Sequence, residues 1–327
     1  MFTKREYRPT WIVYIPLYVW YLYKVIQFGS RWWIMASNPW LKNAWLIRED
    51  KWTALSQFDD SIKPKTLLWL SSVAHEKIIE HMKDIGIDFP CIVKADISRR
   101  SQKIRIVFSE EELKELSMLW WWDIVVQQYL QWYEEFGISY ARIPWDNHWK
   151  ILGIMHRSFA KVIWDWVHTL SELISKDQRY SHYVDILEQQ NSTQWYDIIP
   201  QWKTIELMPF GAHSRGTVFE DRTNQSNHDI VVEVDNAAKQ VQWFYVGRFD
   251  IKAKSLDHIA RWEFFILELN GVWWIPAHMY DPRYSLWKWW KLLFDYRSTV
   301  AKVVKVWIQQ KQLVLPGLKK MYTIVFS

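Results

Sequence analysis

Gly247-Arg248-Phe249-Asp250-Ile251-Lys252, followed shortly by Phe264-Phe265-Ile266-Leu267-Glu268-Leu269-Asn270, decides the fold. Side chains alternate across a strand, so Arg248, Asp250 and Lys252 share one face, and Glu268 and Asn270 share another. The remaining positions are almost all apolar. Polar groups placed alternately in such strands are costly to desolvate unless something occupies them. Two carboxylates and an amide oxygen are hard-oxygen ligands suited to a Mg²⁺ that also grips nucleotide phosphates. The spacing leaves a second reading open, in which Asp250 simply pairs with Arg248 or Lys252.

Outward from this pair, strands and helices alternate from Lys65 onward. Pro90–Lys94 and Lys103–Val107 read as paired short strands separated by a basic, small-residue loop, Ser98-Arg99-Arg100-Ser101-Gln102. A lysine at a strand end before such a loop, here Lys94, suits a phosphate clamp or a solvated hairpin tip. Ser109-Glu110-Glu111-Glu112 and Thr169-Leu170-Ser171-Glu172 read as capping boxes that open helices. Asp123–Leu130, Phe136–Ile143, Lys203–Met208 and Phe244–Ile251 read as further strands, and residues 286–310 as helix. Strands mixed with helices, without regular βαβ units, imply an α+β fold. The expected organisation is an amino-terminal segment (1–64), a first lobe (65–130), a second lobe with the metal site (131–300) and a tail (301–327).

Half of the 327 residues are apolar, enough to bury a sizeable core. The single cysteine, Cys91, excludes an intramolecular disulfide framework and lies in an apolar run typical of a buried strand. A net charge of +5, without a basic block, suits an anionic small ligand or an acidic membrane face and not a nucleic acid. The histidines, among them His148, His156, His168, His213 and His278, lack metal-ligand spacing.

The composition has one anomaly: 26 tryptophans against nine glycines. Many of the tryptophans stand at turn positions. Val162-Ile163-Trp164-Asp165-Trp166-Val167 and Asn270-Gly271-Val272-Trp273-Trp274-Ile275-Pro276 need tight reversals, and such turns favour positive φ, which glycine alone adopts without steric cost. Some bacterial lineages read UGA as glycine, and translating their genes with UGA as tryptophan gives this pattern. The expectation is that about half of the tryptophans are glycine in the native protein. A genuinely tryptophan-rich binding or membrane surface is the alternative.

Residues 11–28, WIVYIPLYVWYLYKVIQF, are apolar and aromatic, preceded by Lys4, Arg5 and Arg8 and followed by Arg31. No small-residue cleavage site follows them, so they do not read as a signal peptide. Three readings stand: a helix at the membrane–water interface, a helix packed on the domain, and a true span.

Phe89-Pro90-Cys91-Ile92-Val93-Lys94-Ala95-Asp96, Val125-Val126-Gln127-Gln128-Tyr129-Leu130, Arg248-Phe249-Asp250-Ile251-Lys252 and Leu267-Glu268-Leu269-Asn270-Gly271 follow the order and spacing of an ATP-grasp ligase. Over about residues 65–300 the chain resembles the D-alanine–D-alanine ligase-like branch of that family. His156–Trp166 is similar to the arginine-bearing strand and Gly-Asp-Gly turn of cyanophycin synthetase-like members, and Gly211–Thr217 resembles a segment beside the substrate. Trp40, Trp45, Trp164, Trp166, Trp202, Trp243, Trp262, Trp273 and Trp274 fall where such relatives carry glycine or a turn. Trp11, Trp20, Trp32 and Trp33, in apolar runs, suit genuine tryptophan.

The resemblance implies two α+β lobes clasping ATP and Mg²⁺, with Mn²⁺ as an alternative. It assigns Lys94 to the phosphates, with Ser98 and Ser101 in the loop over them. Gln128, Tyr129 and Leu130 form the adenine hinge, and Glu134 holds the ribose. Asp250, Glu268 and Asn270 hold the metal, and Arg248, Arg157 and Arg215 neutralise transferring charge. His213 and His278 line the substrate pocket. The implied reaction joins a small-molecule carboxylate to an amine through an acyl phosphate, in the cytoplasm or at the inner face of the cell membrane. Three departures accompany it. The phosphate loop lacks glycine, Gln128 stands in for the usual hinge acid, and the customary amino-terminal substrate domain is expected to be missing or reduced. A catalytically silent relative that binds nucleotide or partners is the second reading.

Overall fold

The computed structural model describes residues 10–39, 51–95, 104–119, 123–131, 133–146, 149–163, 165–198, 204–207, 216–272 and 275–310. The fold is α+β. Strands β1 (Thr66–Trp69), β2 (Cys91–Ala95), β3 (Ile104–Val107) and β4 (Ile124–Gln128) form an antiparallel sheet in the order β1-β4-β2-β3. Strands β5 (Glu134–Arg142), β6 (Trp149–Ser158), β9 (Val218–Asp221), β10 (Val246–Ala253) and β11 (Phe264–Asn270) form a second antiparallel sheet, ordered β11-β10-β5-β6-β9. The short β7 (Lys161–Ile163) and β8 (Thr204–Glu206) pair apart from both.

The more apolar face of each large sheet fixes where its helices lie. In the first sheet, Cys91, Val93, Val107, Ile124 and Val126 pack against Ile78, Ile79 and Met82 of helix His75–Ile85 and Leu113 of helix Glu110–Leu119. In the second, Phe136, Ile138, Tyr140, Ile154, Phe249, Ile251 and Ile266 pack against Ile230, Val234, Ala237 and Ala238 of helix His228–Gln240. The opposite faces of both sheets carry the polar residues. Of the two expected capping boxes, Thr169 and Glu172 form the complete reciprocal pair. At the other, Ser109 Oγ accepts from the Glu112 amide, but the Glu112 carboxylate accepts from the Phe108 amide.

The amino-terminal helix, Thr10–Phe28, packs on the domain. Tyr14, Leu17, Trp20, Tyr21, Val25 and Phe28 recur at helical spacing and face Trp33, Tyr280, Leu293, Val300 and neighbouring residues of the carboxy-terminal helix Leu286–Gln309. No helix among the described residues is long and apolar enough to cross a membrane.

Four described residues other than glycine have positive φ, and all four are tryptophan: Trp145 (56°), Trp166 (58°), Trp243 (65°) and Trp262 (63°). In L-residues this region is normally the province of Asn, Asp and His, and a bulky side chain there is strained. Trp166, Trp243 and Trp262 are among the positions read as glycine from sequence, and Trp145 adds a fourth. Trp40, Trp45, Trp164, Trp202, Trp273 and Trp274 lie outside the described residues. The turn at Trp166 is closed by Asp165, whose carboxylate accepts from the Val167 and His168 amides and meets the His168 ring at 2.7 Å. Those bonds, the His168 side chain first, hold the Asp165 carboxyl down at about 2.

Candidate functional site

The polar face of the second sheet is built by register. Asp250 lies opposite Glu268 on one side and Gly137 on the other, and Arg248 lies opposite Asn270 and Ser139. Alternation along β10 places Arg248, Asp250 and Lys252 on this face, while Phe249, Ile251 and Ala253 fill the core behind it. At Gly137 a Cβ would stand 2.6 Å from the Met155 methyl, the end of a flexible side chain, and 3.4 Å from the Arg248 side chain. Gly247 is glycine because a Cβ would stand 2.3 Å from the Asn270 carbonyl oxygen of the neighbouring strand.

Asp250 is 4% exposed and is the hub of the charge network. Its Oδ1 accepts from Arg248 Nε at 2.7 Å, and its Oδ2 accepts from Arg157 at 2.8 Å and Arg248 at 3.2 Å. Burial pushes the carboxyl up, but the Arg157 and Arg248 guanidinium groups outweigh it and hold the group below the ordinary carboxylate range. Arg157 also pairs with Glu135 of β5, a buried acid that the sequence reading missed. The pairing with arginine, one of the two open readings for Asp250, is present, with Arg248 and not Lys252 as the partner on its own strand. Lys252 instead donates to the Leu130 carbonyl at 2.9 Å, and burial lowers its ammonium to about 8 against the opposing pull of Glu206.

The two sheets meet at Lys94. This residue, 5% exposed, lies on the polar face of β2 and donates to Gln127 Oε1 at 3.1 Å and to the Leu267 carbonyl at 3.3 Å. Leu267 is skipped in the β10–β11 register, which shifts between Asp250 and Ile251, so it is the bulge residue of β11. Glu268 and Asn270 follow it. No described residue pairs with the Glu268 carboxylate, and the Asn270 amide nitrogen is buried without a hydrogen-bond partner.

The remaining expected residues are placed as follows. Gln128 closes β4, where its amide donates to the Lys65 carbonyl at 2.8 Å, and Tyr129 lies 5.8 Å beneath the Lys252 ammonium. Glu134 pairs in register with Ala253 and shares the parity of Phe136, so it lies on the face away from Asp250 and meets His156 at 3.4 Å. Its neighbour Glu135, opposite Lys252, takes the face of Asp250. Ser98, Ser101, Arg215 and His213 lie outside the described residues. His278 is buried over Gly153, where a Cβ would stand 1.9 Å from the ring, and neither ring nitrogen has a hydrogen-bond partner among the described residues.

Among the described residues no group of three His, Cys, Asp or Glu side chains could hold a metal. The donors on this face are two carboxylates and an amide. That set fits Mg²⁺, which takes one or two protein carboxylates and completes its octahedron from phosphate and water. Among the described residues the Glu268 carboxylate has no hydrogen-bond or ion-pair partner, whereas both Asp250 oxygens are taken by arginine.

No protein-family model matches the chain, and comparison with curated proteins finds no match. Among solved structures the chain is similar to a D-alanine–D-alanine ligase from Bacillus anthracis, at 16% identity and a TM-score of 0.41, over 75% of this chain and 64% of that one. It is also similar to a bifunctional glutathione synthetase from Pasteurella multocida, at 16% identity and a TM-score of 0.41, over 77% and 36%. The third, the VanG D-Ala:D-Ser ligase from Enterococcus faecalis, is 11% identical with a TM-score of 0.41, over 80% and 60%. The chain spans less than two thirds of the length of each.

Proposed function

We propose that the chain is an ATP-grasp enzyme: an ATP- and Mg²⁺-dependent ligase that joins a carboxylate to an amine through an acyl phosphate. The observation that carries this reading is the approach of Lys94, from one sheet, to the bulge of β11 in the other, immediately before Glu268 and Asn270. A cation close to hard-oxygen ligands is what a nucleoside triphosphate needs to be gripped.

Lys94 is a fixed point charge for the phosphates, oriented by Gln127. Glu268, Asn270 and Asp250 would hold the metal, which would supply positive charge to the phosphates. Arg157 and Arg248, oriented by Asp250 and Glu135, offer guanidinium groups to charge that spreads during phosphoryl transfer, and need no reorganisation to do so. Lys252 pins the Leu130 carbonyl and so orients the hinge of Gln128, Tyr129 and Leu130 that takes the adenine. Ser98, Ser101 and Arg215 keep the roles that the family resemblance implies. His278, whose ring nitrogens have no hydrogen-bond partner among the described residues, borders the same sheet face on the side expected for the substrate.

Phosphate release from Mg-ATP, measured across mixtures of carboxylates and amines, tests the reading. Turnover with a carboxylate–amine pair, lost in Lys94→Met, is the expected result. The catalytically silent reading draws support from one observation, the occupation of both Asp250 oxygens by arginine. Nucleotide binding without turnover on any pair is the outcome that favours it.

We also propose that Trp145, Trp166, Trp243 and Trp262 are glycine in the native protein, through UGA read as glycine. The support is that they are all of the described positive-φ residues other than glycine. The intact mass of protein purified from its own cells tests this, since each replacement removes the mass of an indolylmethyl group. A mass equal to that of the literal sequence would overturn it.

A further inference from the structure

We propose that the outer face of the amino-terminal helix docks on an anionic bilayer surface, lying along it and not crossing it. This goes beyond the ligase reading and does not depend on it. Helix Thr10–Phe28 has two apolar faces. The inner one is consumed by packing on the carboxy-terminal helix through Tyr14, Leu17, Trp20, Tyr21 and Val25. The outer one presents Ile15, Tyr18, Val19, Leu22, Tyr23 and Ile26, each between 50% and 82% exposed. Their spacing, i, i+3, i+4, i+7, i+8 and i+11, makes one continuous stripe along the helix. None of the six is tryptophan, so the stripe is independent of how UGA is read. Scattered exposed apolar residues need no explanation, but a contiguous stripe of this size marks a surface that another phase covers.

Charge identifies that phase. Between residues 7 and 48 the sequence holds Arg8, Lys24, Arg31, Lys42 and Arg48 and no acidic residue. Tyrosine on the stripe and basic residues beyond both helix ends are the pattern of the headgroup boundary, where aromatic rings sit at the interface and cations meet lipid phosphate. A second copy of the chain on the same stripe would set the two cationic flanks against each other, whereas anionic lipid neutralises them. A span is excluded by the packing: crossing would strip the inner face from its partners.

The test is flotation of the full-length chain with vesicles of phosphatidylcholine alone and of phosphatidylcholine mixed with phosphatidylglycerol. The expected result is binding to the mixed vesicles, weaker on neutral ones and reduced by salt. Leu22→Ser and Ile26→Ser, at exposed positions that leave the inner face intact, each weaken binding by roughly tenfold or more. Thermal unfolding of both variants matches that of the parent, which separates lost docking from lost folding. The proposal is overturned if the chain floats with neither vesicle, or if both variants bind as the parent does. It is also overturned if sedimentation shows a dimer that the variants dissociate while neither vesicle is bound.

Discussion

Replacing Trp166 separately by glycine and by alanine isolates backbone conformation from side-chain packing, because both changes remove the indole. Trp166 is 60% exposed with φ at +58°. Alanine held in that left-handed region is strained by ~1–2 kcal/mol, while glycine adopts it freely. Glycine's extra freedom in the unfolded chain offsets ~0.4–1 kcal/mol of that gain. Trp166→Gly is therefore expected to be more stable than Trp166→Ala by about 1 kcal/mol. At Lys302, exposed in the interior of helix Leu286–Gln309, the order reverses, and glycine is worse than alanine by ~1 kcal/mol. Urea unfolding followed by circular dichroism resolves the difference, since a denaturant slope near 3 kcal/mol/M turns about 1 kcal/mol into a midpoint shift of about 0.3 M. Alanine equal to or better than glycine at 166 would refute the reasoning, and recoding would lose its structural basis there.

Three further outcomes are expected. Asp250→Asn removes the buried carboxylate shared by Arg157 and Arg248, leaving Arg157 its pairing with Glu135, and costs about 3 kcal/mol in urea unfolding. Because the folded-state pKa of Asp250 lies below its unfolded value, its contribution is complete above about pH 4 and is lost as pH falls below that, so the stability gap between parent and Asn variant closes on acidification. Lys252 has the same sign at higher pH: its pKa is lowered to about 8, so the native state holds fewer protons than the unfolded chain between that value and about 10.4, and stability relative to Lys252→Met rises across this window. Burial pushes the Cys91 thiol up to about 12, so a thiol reagent at pH 8 is expected to leave native protein unlabelled and to react on unfolding; fast labelling of the native chain would contradict that burial.

The strands nearest the site were legible because their alternation is strict. Arg248, Asp250 and Lys252 needed only a period of two, and the same rule set Glu268 beside Asn270. It could not place Glu134 and Glu135, which precede the strand expected from Phe136; pairing with Ala253 and Lys252 on β10 sets these two acids on opposite faces. Helix His228–Gln240 was unreadable for a different reason. Its run Ile230-Val231-Val232-Glu233-Val234 is β-branched and favours a strand by local preference, and tertiary burial of Ile230, Val234, Ala237 and Ala238 overrides it. The bulge at Leu267 and the approach of Lys94 to its carbonyl have no sequence signature, since both arise from packing between sheets. His278 could have been suspected only through Gly153, a glycine inside a strand that marks the close approach of another group.

Titration of ATP into the full-length protein, with and without Mg²⁺, is the most direct test of the cleft between Lys94 and β11. One site whose affinity requires the metal, and which falls by tenfold or more in Glu268→Gln while the unfolding midpoint stays unchanged, is the predicted result. Binding that ignores Mg²⁺ and survives Glu268→Gln, or no binding at all to the folded chain, would contradict the account.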